Sequence, residues 1–239
     1  MIGDGDRFGP GRGVPGASGP ADGPGPAARG GRPAGTRRPE DDPPGTSRLF
    51  VAIPVADDVG AAVGELMARV AGAPIAERAF GQPRWVRVEG LHVTLRFLGA
   101  TPDDRQPAIA AALERAASGV ARFEITLNGG GAFPNASRPR VLWIGIRTGA
   151  EELAALARRL DGALRPLGWP PEDRPFSGHL TLARTDGVAG AEEHARRLIE
   201  AAGDLELTWR ADRFVLYKSL LGHGPARYQA LAEVELRSE

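Results

Sequence analysis

Two short stretches pair an imidazole with a hydroxyl: "HVTL" at residues 92–95 and "HLTL" at residues 179–182, 87 positions apart. In a strand, residues two apart point to the same face. His92 would then share a face with Thr94, and His179 with Thr181. Such a set suits phosphoryl transfer without a metal. One imidazole takes a proton from the nucleophile, the other gives a proton to the leaving oxygen, and both tasks suit histidine near neutral pH. The two hydroxyls can donate to the non-bridging oxygens, where charge must be stabilised. Arg96 within the first motif and Arg184 just after the second are available as guanidinium forks for phosphate.

A lone histidine in a strand is more often a packed core residue, and Thr is a common strand former. Two copies of one pattern, carrying two of the chain's four histidines, favour a site. A metal centre is the weaker alternative. His and Thr two apart chelate poorly, the chain has no cysteine, and no carboxylate sits in register with either pair. No cofactor is expected.

The motifs need strands to hold them. The chain has 239 residues and a formal net charge of zero. The first 46 hold 13 of the 33 glycines and 9 of the 21 prolines, with almost nothing apolar. Such a segment cannot bury enough surface to offset its chain entropy, so residues 1–46 are expected to be a disordered tail. A single domain of two lobes is expected over 47–239, beginning with the apolar run "SRLFVAIPV". The pattern then predicts a helix near 58–71 capped by Asp57 or Asp58, strands at 84–88 and 91–97, and a helix at 103–117. "RFEITLNG" reads as a strand, "GGGAFPNASRPR" as a loop and 141–146 as a strand. A helix follows at 151–168, then the second motif, a helix at 190–202, one strand through "RADRFVLYKS" and a last strand at "RYQALAEVEL". Strict βαβ alternation is absent, which favours α+β with largely antiparallel sheets. Each motif precedes a helix, so a pseudo-two-fold could bring the two polar faces together in a cleft between lobes.

Neutral charge argues against a broad groove for long nucleic acid, though not against a pocket for one phosphate. No apolar run reaches 18 residues and the N-terminus lacks a secretory core, so no membrane partner is expected. The absence of cysteine fits a reducing, cytoplasmic setting.

With these residues in view, the chain resembles the two-histidine (2H) phosphoesterases, and among them the RNA 2′,3′-cyclic phosphodiesterases also called 2′-5′ RNA ligases. The likeness runs over about 48–236 and is carried by "RLFVAIPV", "RWVRVEGLHVTLRFLG", "GGGAFPNASRPRVLWIGI", "RPFSGHLTLAR" and "LYKSLLGHGPARYQAL" in that order. The resemblance implies a two-lobed α+β fold with His92 and His179 as the acid–base pair and Thr94 and Thr181 as phosphate donors. The implied reaction is hydrolysis of a terminal 2′,3′-cyclic phosphate to a 2′-phosphate. His179 would be the base and His92 the acid, and a ribose hydroxyl as nucleophile would give a 2′-5′ joint. The expected partners are RNA ends with that cyclic phosphate, such as tRNA fragments, or small nucleotides, met by a monomer. It also points to Phe97 and Arg184, each five residues after its histidine, as contacts to base or phosphate. Simple alternation puts position five on the opposite face, so both need the strand to end, twist or bulge. The family's usual Pro before the second histidine is Gly178 here, which would loosen that loop.

The other two histidines invite over-reading. His194 reads as a solvated helix residue and His223 as an ordinary loop residue, with a place bordering the cleft as the weaker alternative. Arg138 and Arg140 could touch an RNA strand or simply be solvated. Two alternative functions stay open: a phosphodiesterase for a small cyclic nucleotide, and a non-catalytic module that binds RNA ends. The two-histidine scheme calls for a bell-shaped pH profile around neutrality.

Overall fold

The computed structural model describes residues 42–72, 82–186, 188–220 and 226–238, all within one compact unit. Residues 1–41 of the tail expected over 1–46, and the loop holding His223, lie outside them. Residues 42–46, which composition groups with the tail, are tied to the domain. Asp42 pairs with Arg48 at 2.6 Å, and the Gly45 carbonyl accepts from the Asp103 amide at 2.9 Å.

Among the described residues nine strands form one sheet, its ladders all antiparallel. The strands are β1 (Thr46–Pro54), β2 (Arg84–Trp85), β3 (His92–Pro102), β4 (Phe123–Phe133), β5 (Val141–Ile146), β6 (His179–Arg184), β7 (Leu207–Ala211), β8 (Arg213–Leu220) and β9 (Arg227–Glu235). Four α-helices join them: α1 (Asp57–Ala71), α2 (Gln106–Ala117), α3 (Ala150–Leu164) and α4 (Ala191–Ala201). The order across the sheet is β7-β4-β5-β6-β3-β1-β8-β9, with β2 beside β6.

That order contains a repeat. One half, β3-β1-β8-β9, is built on β1-α1-β3-α2, and the other, β6-β5-β4-β7, on β5-α3-β6-α4. Strand β3 corresponds to β6 and β1 to β5. The helices obey the same exchange, since α1 packs against α4 and α2 against α3. Within the sheet β3 meets β6 through Val93 and Leu180 alone, with β2 paired beside β6. The expected two-lobed, mainly antiparallel α+β architecture is therefore present, its lobes being halves of one continuous sheet.

The helices form because their apolar residues recur at helical spacing. α3 buries Leu153, Leu156, Ala157, Leu160 and Leu164, and α2 buries Ile109, Ala112, Leu113, Ala116 and Ala117. These stripes join Val93, Leu95, Leu180 and Leu182 in one core. The core covers one face of the sheet and leaves the histidine-bearing face open.

Four boundaries differ from the sequence reading. α1 has no side-chain cap: Ala56 is its N-cap, and Asp57 and Asp58 lie in the first turn, where they complement the helix dipole. "RADRFVLYKS" is two strands, with Asp212 at the break. The strand expected at 84–88 stops at Trp85, and a 3-10 turn, Val88–Gly90, leads into β3. The "GGGAF" stretch is no loop but the end of β4. A Cβ on Gly130 would lie 2.7 Å from the Leu198 carbonyl of α4, and one on Gly131 would lie 2.3 Å from the Trp143 ring. Gly130 and Gly131 are there because a helix and an indole lie directly on the strand, so close approach explains them, whereas Gly129 has a left-handed φ of 71°.

Candidate active site

His92 and His179 open their strands on either side of the seam. The Val93–Leu180 pair fixes an antiparallel register in which His92 stands across from Thr181, and Thr94 across from His179. Val93 and Leu180 are fully buried, whereas the four motif residues are half-buried. They therefore share the open face. Among the described residues, neither Thr hydroxyl makes a hydrogen bond.

The two imidazoles are held alike. His92 Nδ1 bonds the Gly90 carbonyl at 2.7 Å, and His179 Nδ1 bonds the Ser177 carbonyl at 2.8 Å. A carbonyl can only accept, so Nδ1 carries the proton and donates. In the neutral ring Nε2 is then left with its lone pair.

Aromatic rings hold both imidazoles in place. His92 lies 4.9 Å from Phe50 and meets Tyr228 edge to face at 5.1 Å, with Tyr217 at 6.3 Å. His179 meets Phe133 edge to face at 5.1 Å and has Trp143 at 6.3 Å. Phe50 and Trp143 occupy corresponding strands, β1 and β5, as do Tyr217 and Phe133 on β8 and β4. Desolvation pushes both imidazoles below the ordinary histidine range, and the carbonyl bonds oppose it. At His92 repulsion from His179 adds to the lowering; at His179 the Arg184 guanidinium does. Burial also pushes the Tyr217 and Tyr228 hydroxyls up.

Phe97 and Arg184 reach the open face because each strand bulges at the same place. Val51 pairs with Arg96 and Ala52 with Thr94, which leaves Leu95 without a partner on β1. Leu142 pairs with Ala183 and Trp143 with Thr181, which leaves Leu182 without a partner on β5. Each unpaired leucine is three residues after its histidine. Beyond it the alternation inverts, and residues 92–97 and 179–184 show one and the same burial sequence, ending on an exposed residue. Phe97 is 56% exposed and lies 6.2 Å from Phe50. Arg184 is exposed, and its charge acts on His179 and Tyr228.

The same bulge removes Arg96. Expected beside His92 and Thr94, it is turned to the helix side and is only 5% exposed. There its Nη1 pairs with Glu172 at 2.7 Å, its Nε lies 3.3 Å from Asp161, and its Nη2 donates to the Pro170 carbonyl. Arg96 is therefore no phosphate ligand.

Arg138 and Arg140 are exposed on the β4–β5 hairpin. Gly178 packs against Ile146, Leu153 and Phe176, each 3.4 Å from where a Cβ would stand. The loop is thus supported without proline, and the Ser177 carbonyl orients His179. His194 is half-buried rather than solvated, and its Nδ1 is buried with no hydrogen-bond partner. The sequence reading did not identify Phe50, Phe133, Trp143, Tyr217 and Tyr228 around the site. A usable signal was there: the chain has only two tyrosines, and both lie against His92. Among the described residues no three of His, Cys, Asp and Glu converge as a metal-binding set, and no helix is long and apolar enough to cross a membrane.

Comparison with known proteins points to one family. An RNA 2′,3′-cyclic phosphodiesterase of Aeropyrum pernix is 36% identical over 155 residues, which cover 64% of this chain and 86% of that protein. The crystal structure of TT0787 of Thermus thermophilus superposes with a TM-score of 0.64 at 30% identity, over 80% of this chain and 99% of that one. The E. coli LigT structure complexed with 3′-AMP gives 0.61 at 25% identity, over 80% and 98%. The family model of the 2′-5′ RNA ligase superfamily matches residues 57–223, and the chain belongs to that superfamily.

Proposed function

We propose that the protein hydrolyses RNA 2′,3′-cyclic phosphate ends to 2′-phosphates, with His92 and His179 as the acid–base pair. One observation carries the reading. Two symmetry-related imidazoles, each with Nδ1–H tied to a backbone carbonyl, flank one seam with a Thr hydroxyl beside each. The activity in the name of the Aeropyrum pernix relative supports it.

The phosphate sits at the seam, where Thr94 and Thr181 donate to its non-bridging oxygens and Arg184 supplies positive charge. Nε2 of His179 takes a proton from water as the water oxygen bonds to phosphorus. The P–O3′ bond breaks, and O3′ takes a proton from Nε2 of His92. The product keeps its 2′-phosphate. Ring crowding supports this assignment, since two aromatic rings lie against His179 and three against His92, which leaves more room for water at His179. Phe97, exposed beside Phe50, offers a face for stacking a base. With the 5′-hydroxyl of a second RNA in place of water, the same bond changes give a 2′-5′ linkage and a free 3′-hydroxyl.

The test is an oligonucleotide ending in 2′,3′-cyclic phosphate, incubated in EDTA. A 2′-phosphate product is expected. No conversion, or equal conversion by His92→Ala, overturns the reading.

A further inference from the structure

A cavity of about 610 Å³ opens beside His92 and extends away from the seam. Its walls include Arg87, Glu89, Arg213, Tyr217, Arg227 and Tyr228; His179 is not among them. Its volume is within the range of pockets that enclose small ligands.

The walls favour an anion with a flat group attached. Three guanidinium groups face two carboxylates, Asp57 and Glu89. Arg213 is committed, to Asp212 at 3.0 Å and to Glu233 at 3.2 Å. Arg87 and Arg227 are exposed and join no ion pair among the described residues, so they are open to a phosphate. Tyr217 and Tyr228 supply ring faces on which a base can stack.

Placement then selects which phosphate. The inference rests on the cyclic phosphodiesterase reading, in which O3′ departs toward His92 while the ribose stays bound to phosphorus through O2′, so that the ribose lies on the His92 side. The RNA strand continues from that ribose through O5′ to the preceding phosphate and nucleoside. The cavity lies on that side. A cyclic mononucleotide has nothing to place there, and a subsite for the terminal base alone would not call for unpaired guanidinium groups.

We infer that this cavity is a subsite for the penultimate nucleotide, with Arg87 and Arg227 holding the phosphate that links it to the cyclic end, so that oligonucleotide ends are preferred over cyclic mononucleotides.

The experiment measures kcat/KM for 2′,3′-cyclic AMP, for the dinucleotide ApA with a 2′,3′-cyclic end, and for that dinucleotide with a neutral methylphosphonate linkage. The dinucleotide is expected to exceed the mononucleotide at least tenfold. The methylphosphonate is expected to lose most of that gain. The Arg87→Ala/Arg227→Ala double variant is expected to lower the dinucleotide-to-mononucleotide ratio at least fivefold. Equal wild-type values, an unchanged ratio in the double variant, or a methylphosphonate as good as the phosphodiester overturns the inference and leaves the cyclic phosphodiesterase reading standing. Failure of wild type to turn over any of the three overturns both.

Discussion

Val93 and Leu180 face each other across the single bridge that joins β3 to β6, and each directly follows the histidine of its motif. The bridge between β3 and β6 therefore also sets the register of the site. A side chain on one strand is served by the other: Thr181 stands by His92, and Thr94 by His179.

Both histidines should accordingly be needed. His92→Ala and His179→Ala are each expected to lower kcat by about 10²–10⁴-fold, the range for a positioned acid or base. Thr94→Val and Thr181→Val, which remove one donor each, should cost up to about 10²–10³-fold. Steady-state kinetics on a cyclic-ended oligonucleotide, with circular dichroism to confirm folding, checks this. The double histidine variant should be little worse than the singles, because the two act as one unit.

The pH profile should lie on the acid side. Both imidazoles are shifted below the ordinary value of 6.5, and the working free enzyme carries one proton on the pair. That singly protonated form is most abundant between the two lowered pKa values, so kcat/KM should peak below pH 6.5. Above the higher value it should fall about tenfold per pH unit as the acid loses its proton. A bound anionic phosphate favours the imidazolium, so the kcat profile should peak at higher pH than kcat/KM. Rate profiles from pH 4.5 to about 9 decide it; a kcat/KM maximum above pH 7 would contradict the burial seen at His92. The profile centred on neutrality, anticipated from ordinary histidine values, is thereby moved.

Much of this was legible in the sequence. Alternation identified the strands, the repeated His-x-Thr identified the motifs, and the order of the motifs identified the two halves. The bulges were not legible. Nothing at Leu95 or Leu182 marks an extra residue, because a bulge arises from pairing with β1 and β5, which lie far off in sequence. So Arg96 was placed on the wrong face, while Phe97 and Arg184 were on the right one only if a bulge existed. The glycines misled for a related reason: three in a row signal a turn locally, but here Gly130 and Gly131 clear space for Leu198 and Trp143, and Gly129 takes a left-handed φ of 71° at the irregularity in β4.

That space can be tested. Gly131→Ala puts a methyl where the Trp143 ring lies, and such overpacking costs about 1–3 kcal/mol. Trp143 must move, and with it the support of His179. Activity should drop at least tenfold while the protein remains folded at 25 °C, with a lower melting temperature. Gly162→Ala in α3, with nothing within 4 Å of the new carbon, should instead gain up to about 1 kcal/mol. Equal behaviour of the two variants would sink the close-approach account.

Arg96 makes the last prediction. It joins β3, just beyond the bulge, to the chain that leads toward His179, through Asp161, Glu172 and the Pro170 carbonyl. Its partners differ in exposure, Asp161 at 22% and Glu172 at 56%. Breaking a buried pair from one side strands a charge and costs about 3–5 kcal/mol, whereas exposed pairs contribute about 0–1 kcal/mol. Arg96→Ala removes the cation, its packing and the Pro170 bond, and leaves Asp161 without its partner. It should destabilise most. Asp161→Asn should follow, and Glu172→Gln should be nearly silent, because water solvates what remains. Urea unfolding of the three variants gives the order. A Glu172→Gln as damaging as Arg96→Ala would mean that the exposed carboxylate, not the buried guanidinium, holds this loop to β3.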